Sequence, residues 1–167
     1  MVLALVGLVA LVGLALPRSW HVERSVVIAA SPEQIAPYLI DLRRWQDWSS
    51  RTKAADPLVR NTYEGPDDGV GGKWLWLGPV AGRGFMQVQS VTPGRVVLSL
   101  ALDGMEVNVL DDFTLTPEGD GTRVSWVDRG ALPVFGGLFL GTVESRLGAS
   151  LELGLARLKA LVEQRVS

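Results

Sequence analysis

The segment TVESRLGASLELGLARLKALVEQRV, Thr142–Val166, decides how this chain is read. Val143, Leu147, Leu151, Leu155, Leu158 and Val162 recur every three or four residues. At about 100° per residue they fall on one stripe of an α-helix. Glu152, Lys159 and Glu163 fall towards the other side. No proline interrupts the run, but Gly148 and Gly154 each cost it about 1 kcal/mol relative to Ala. A helix with one apolar stripe needs an apolar surface to cover.

The middle of the chain supplies that surface as alternating strands. They are expected over Leu58–Glu64, Lys73–Leu77, Phe85–Val91, Val96–Leu102, Met105–Thr116 and Thr122–Arg129. The breaks between them are rich in Gly and Pro, and the Asp103-Gly104 dipeptide is a strong hairpin signal. Ahead of them, His21–Ala29 alternates and is β-branched, which predicts a first strand. Ser31-Pro32-Glu33-Gln34 then carries the marks of a helix start, with Ser as N-cap, Pro in the first turn and Gln three residues on. That helix is expected to run to about Ile40, and a second short one over Asp41–Trp45, followed by Trp48. Arg51–Pro57 reads as a polar connector. Strands joined in sequence by short turns form an antiparallel meander, and the C-terminal helix is the only long element able to cover its apolar face. The expected fold is α+β, a curved antiparallel sheet wrapped around the long C-terminal helix.

Met1–Leu16 is apolar and carries no charge. Sixteen helical residues span about 24 Å, short of the roughly 30 Å hydrocarbon core. Extension through Trp20, with Arg18 and Trp20 as interfacial anchors, approaches the required length. The expectation is an uncleaved single-pass anchor over residues 1–19, on either side of a membrane, and a domain over 20–167. The rival is a cleaved signal peptide. Against it, no Lys or Arg precedes the run, and Pro17 stands where cleavage would fall.

With 167 residues and a net charge of -2, the chain suits one domain with a real core and lacks the basic field of a nucleic-acid binder. The absence of Cys excludes thiol catalysis and thiolate metal sites. His21 is the one histidine, so neither a zinc site nor a Ser-His-Asp triad can be assembled, and no metal or cofactor is expected. Gly69–Gly72 and Gly82–Gly84 lead into strands and not into a helix N-terminus, so they are not phosphate cradles.

The element order, taken with HVERSVVIAASPEQI (21–35), DLRRWQDWS (41–49), GVGGKWLW (69–76), GRGFMQV (82–88), GTRVSW (121–126) and LELGLARLKALVE (151–163), resembles the START-like or Bet v 1-like helix-grip superfamily, also called SRPBCC. Within it the chain is similar to the bacterial polyketide cyclase/dehydrase and lipid transport group. The resemblance implies a cavity between sheet and helix that takes apolar ligands. It does not imply one activity, because function lives in sites grafted on folds. Relatives often carry basic residues before the N-terminal apolar run, and here none precedes it.

Five of the six tryptophans, Trp45, Trp48, Trp74, Trp76 and Trp126, suit either a cavity wall or core packing, since each offers a large apolar face and one N–H. The expected lining is Trp48, Trp76, Met86, Val107, Val109, Phe113, Trp126, Phe139, Leu147 and Leu151. Strand parity puts Val107, Val109, Asp111, Phe113 and Leu115 on one face of their strand, and Val124, Trp126 and Asp128 on one face of theirs. Asp111 and Asp128 can therefore point inward and are the candidates for acid–base chemistry; the plainer alternative is a solvated or Arg-paired carboxylate. The apolar loop Pro133–Gly141 is a candidate lid. Ala149, Leu153, Ala156 and Ala160 form a second apolar line suited to a weak homodimer contact. Three functions follow: membrane-tethered binding of a hydrophobic small molecule or lipid, a cyclase/dehydratase-like enzyme in the same cavity, and an interaction module with a filled core.

Overall fold

The structure, a computed structural model, describes residues 13–50, 55–102 and 108–166. In chain order the elements are β1 (Ser19–Ile28), α1 (Pro32–Ile40), α2 (Trp45–Trp48), β2 (Arg60–Glu64), β3 (Lys73–Gly78), β4 (Gly82–Thr92), β5 (Arg95–Leu102), β6 (Asn108–Glu118), β7 (Gly121–Ala131), a 3-10 turn (Gly136–Phe139) and α3 (Leu140–Val166). The strands form one antiparallel sheet in the order β1-β7-β6-β5-β4-β3-β2. Strands β2 to β7 are a meander, and β1 returns to pair with β7. A bulge between Val88 and Ser90 interrupts the β4–β5 register. The Asp103-Gly104 turn and Val107 lie outside the described residues.

Helix α3 buries the stripe expected of it. Leu151, Leu155, Leu158 and Val162 are buried, and Leu147 is half-buried. Its two costly glycines stand where side chains from β7 and β1 approach the helix backbone. A Cβ at Gly154 would lie 3.0 Å from the Trp126 indole, and one at Gly148 would collide with the Arg24 guanidinium. The polar side of the helix is also employed. Arg24 binds Glu152 at 2.5 Å, Lys159 Nζ donates to the Val27 carbonyl at 2.7 Å, and Glu163 accepts the Ala29 N–H at 2.8 Å. Strand β1 is a sheet edge, so the last two contacts satisfy backbone groups that would otherwise offer a pairing template.

The second short helix begins later than expected. Asp41 accepts the Arg43 N–H at 3.0 Å and Arg44 Nε at 3.3 Å. These side-chain bonds hold 42–44 in a turn, and the helix starts only at Trp45.

The N-terminal transmembrane segment and the single-pass membrane location are corrected. Among the described residues no helix is long and apolar enough to cross a membrane. The expectation needed the span to extend through Trp20, but β1 already starts at Ser19. The Trp20 indole is buried, donates to Asp128 and lies over Gly130, where it occupies the place of a Cβ. It is a core residue and not an interfacial anchor. Residues 1–12 lie outside the described residues.

Candidate ligand pocket

The sheet's inner face is covered in its centre by aromatic rings. Trp45 and Trp48, on α2, lie with ring centroids 4.5 Å apart. Trp126 on β7 stacks on Phe113 of β6 at 4.8 Å and meets Trp48 edge-on at 5.7 Å. Offset and edge-to-face contacts of this kind suit the ring quadrupoles. The indole N–H groups are satisfied within the core: Trp45 donates to the Leu39 carbonyl, Trp48 to the Tyr38 carbonyl and Trp126 to Asp111. Trp48, Phe113 and Trp126 are therefore brought together, as packing.

Open space lies beside this cluster, against β3. A pocket of about 160 Å³ is lined by Ser50, Ala55, Asp56, Val59, Trp74, Trp76, Val80 and Ala81. Alternation along β3 turns Trp74 and Trp76 inward together, with centroids 5.0 Å apart and planes tilted by 54°. Trp74 Nε1 donates to Asn61 Oδ1 at 2.9 Å, which fixes that ring from β2. Trp76 faces Gly84 across the ladder, and a Cβ there would lie 2.5 Å from its ring. Glycine at 84 is what lets this indole lie flat on β4.

Asp56 shapes the other wall. Its Oδ2 accepts the N–H groups of Val80 at 3.0 Å and Ala81 at 2.9 Å, and its Oδ1 that of Leu58 at 3.3 Å. The Ala81 N–H foremost, joined by those of Val80 and Leu58, holds the carboxyl below the usual carboxylate range despite burial. It sits against Gly78, on the space a Cβ would fill. Its charge is thus spent on the β3–β4 turn, and the surface offered to a ligand is almost wholly apolar.

The other expected lining residues are distributed differently. Met86, Val109 and Leu151 are buried and Leu147 is half-buried, but none of them borders this pocket. Phe139 is 66% exposed on the loop before α3, together with Val134, Phe135 and Leu138. Asp111 and Asp128 do face inward, at 1% and 7% exposure. Their neighbour Asp112 faces the opposite side of the sheet. It is nevertheless buried, because Arg95 binds it through two nitrogens at 2.8 and 2.6 Å and Arg129 adds a third contact at 3.2 Å. The Arg95 hydrogen bonds, chiefly, hold its carboxyl below the usual range.

Sequence reading missed Asp56, Val59, Val80 and Ala81. Asp56, Val80 and Ala81 lie in stretches that look like connector and turn, and Val59 at the start of an expected strand. The contact of Asp56 with 80–81 spans 24 and 25 residues, which no local pattern reveals.

Known proteins agree with this architecture. The profile of a family described as polyketide cyclase / dehydrase and lipid transport matches residues 19–163. No curated protein gives a match. Among solved structures, a protein from Thermus thermophilus superposes with a TM-score of 0.68 at 20% identity, covering 89% of this chain and 100% of that one. A Rhizobium loti protein gives 0.58 at 24% identity, covering 83% and 95%. A norcoclaurine synthase point mutant from Thalictrum, in complex with a transition-state analogue, gives 0.65 at 15% identity, covering 90% and 98%. At these identities the likeness is one of fold.

Proposed function

The chain belongs to the polyketide cyclase / dehydrase and lipid transport family, and from that premise we propose that it binds a compact, uncharged hydrophobic small molecule against Trp74 and Trp76. The observation that carries this reading is the pocket itself. Its volume of about 160 Å³ matches the roughly 150 Å³ of an apolar protein cavity that stays dry and takes up benzene. Two indole faces meet at its wall, and Asp56, the one carboxylate among the described lining residues, already accepts three backbone N–H groups. A single ring fits this space, and among the described residues its lining is almost wholly apolar.

The test is a ligand panel followed by tryptophan fluorescence and melting temperature. The panel holds single-ring aromatics, fatty acids, isoprenoid quinones and aromatic polyketides. Single-ring compounds should perturb the fluorescence and raise the melting temperature, since ligand at 100 times its Kd adds about 2.7 kcal/mol. Trp76→Ala should weaken binding about tenfold, the loss of one aromatic contact of about 1.4 kcal/mol. No response to any member would remove the reading.

A second reading, a cyclase/dehydratase-like enzyme, draws on one specific observation. Asp111 and Asp128 are ladder partners on β6 and β7 and both face inward. An opposed pair of carboxyl groups is what acid–base chemistry would use. Neither borders the pocket beside Trp76. This reading therefore requires turnover that Asp128→Asn abolishes while ligand binding survives.

A further inference from the structure

The carboxylate of Asp56, whose hydrogen bonds hold the β3–β4 turn, also sets the charge of the pocket beside Trp74 and Trp76. Among the described lining residues it is the one charged side chain, and no Lys or Arg stands with it. It is buried, and a buried charge is screened less than an exposed one. Two segments fix it at once, through the N–H groups of Val80 and Ala81 on Oδ2 and that of Leu58 on Oδ1. Hydrogen bonds from neutral amides favour the ionised form and leave its net charge in place. The two rings act in the same sense. Trp74 and Trp76 are buried, with centroids 5.0 Å apart and planes tilted by 54°. The face of an indole carries the negative side of its quadrupole, so it attracts a cation and repels an anion. Trp74 Nε1 donates to Asn61 Oδ1 at 2.9 Å, so the positive N–H edge of that ring is engaged on β2.

A carboxylate and two indole faces thus border one small apolar space, and all three favour positive over negative charge within it. We propose that Asp56 is the specificity-determining residue of this pocket: a ring bearing a carboxylate is rejected, whereas a neutral ring, or the same ring bearing a protonated amine, is admitted. The proposal rests on the ring-binding reading above and adds the sign of charge that the site tolerates. Any ion loses hydration on entering an apolar space. For a cation, attraction to Asp56 and to the indole faces offsets part of that loss; for an anion, the same groups add to it. Ligands of similar size are therefore sorted by charge. Benzoates and fatty acids are excluded for their carboxylate and not for their volume, while simple arenes, phenols and aryl amines remain candidates.

The experiment measures binding of toluene, benzylammonium and benzoate to the full chain at about pH 7, where the last two are charged, in wild type and in Asp56→Asn. The readouts are tryptophan fluorescence and displacement of toluene. The probes share one ring and differ in charge. Wild type should bind toluene, and should bind benzylammonium at least about a hundredfold more tightly than benzoate. Asn at this position keeps an oxygen for the Val80 and Ala81 N–H groups and removes one negative charge. The ratio between the charged probes should then shrink at least about tenfold, and a ratio cancels any loosening of the turn. If toluene binds but benzylammonium binds no more tightly than benzoate in wild type, or the ratio is the same in both proteins, the proposal is overturned and the ring-binding reading stands. If toluene does not bind, that reading falls and takes the proposal with it. Should Asp56→Asn fail to fold, the wild-type comparison of the charged probes decides the matter.

Discussion

Trp126→Ala is expected to lower the free energy of unfolding by about 3–5 kcal/mol, as removal of a buried Trp does. Total stability of a domain this size is about 5–15 kcal/mol, so this is a large fraction. The indole stacks on Phe113, meets Trp45 and Trp48 edge-on and fills the space left by Gly154. It also donates to Asp111, which is 1% exposed. Truncation therefore opens a cavity and strips a buried carboxyl of a donor. Trp126→Phe separates the two effects. It keeps a ring in the cluster and removes the N–H, and the expected cost is about 1–3 kcal/mol. Urea midpoints of the two variants check this; equal losses in both would mean that packing at this position contributes little.

Leu155→Ala should cost about 2–5 kcal/mol, and Leu153→Ala less than about 0.5 kcal/mol. The two residues are separated only by Gly154 in sequence, yet Leu155 is 2% exposed against the sheet and Leu153 is 47% exposed. The contrast tests the rotational phase of α3, on which the whole covering of the sheet depends. Similar midpoints for the two variants would show that the helix presents a different face.

The fold was legible because its signals are periodic. The stripe Leu151, Leu155, Leu158 and Val162 repeats at the helical period, and alternation along β6 and β7 turned Asp111, Phe113, Trp126 and Asp128 to one side, as found. The N-terminal reading failed for a physical reason. An apolar run next to Arg and Trp looks the same whether the Trp faces lipid or a core carboxyl, and Trp20 bonds Asp128 from 108 residues away. Parity does not reveal burial on the sheet's outer face, where Arg95 and Arg129 fold over Asp112. The candidate site was half legible. Trp76 could be named, since an indole on a strand is visible in sequence. Whether an indole meets another ring or open space depends on which elements lie across from it. Trp48 and Trp126 meet rings, while Trp74 and Trp76 border the pocket closed by Asp56, Val59, Val80 and Ala81.

The central claim is that the space beside Trp74 and Trp76 receives a single apolar ring. The most direct test is to soak crystals with bromobenzene and locate the bromine by anomalous scattering. The prediction is a peak in the pocket bounded by Trp74, Trp76, Val59 and Ala81, and its loss when Asp56→Ala loosens the turn that forms the far wall. A peak only elsewhere in the molecule, or no peak at saturating bromobenzene, would contradict it.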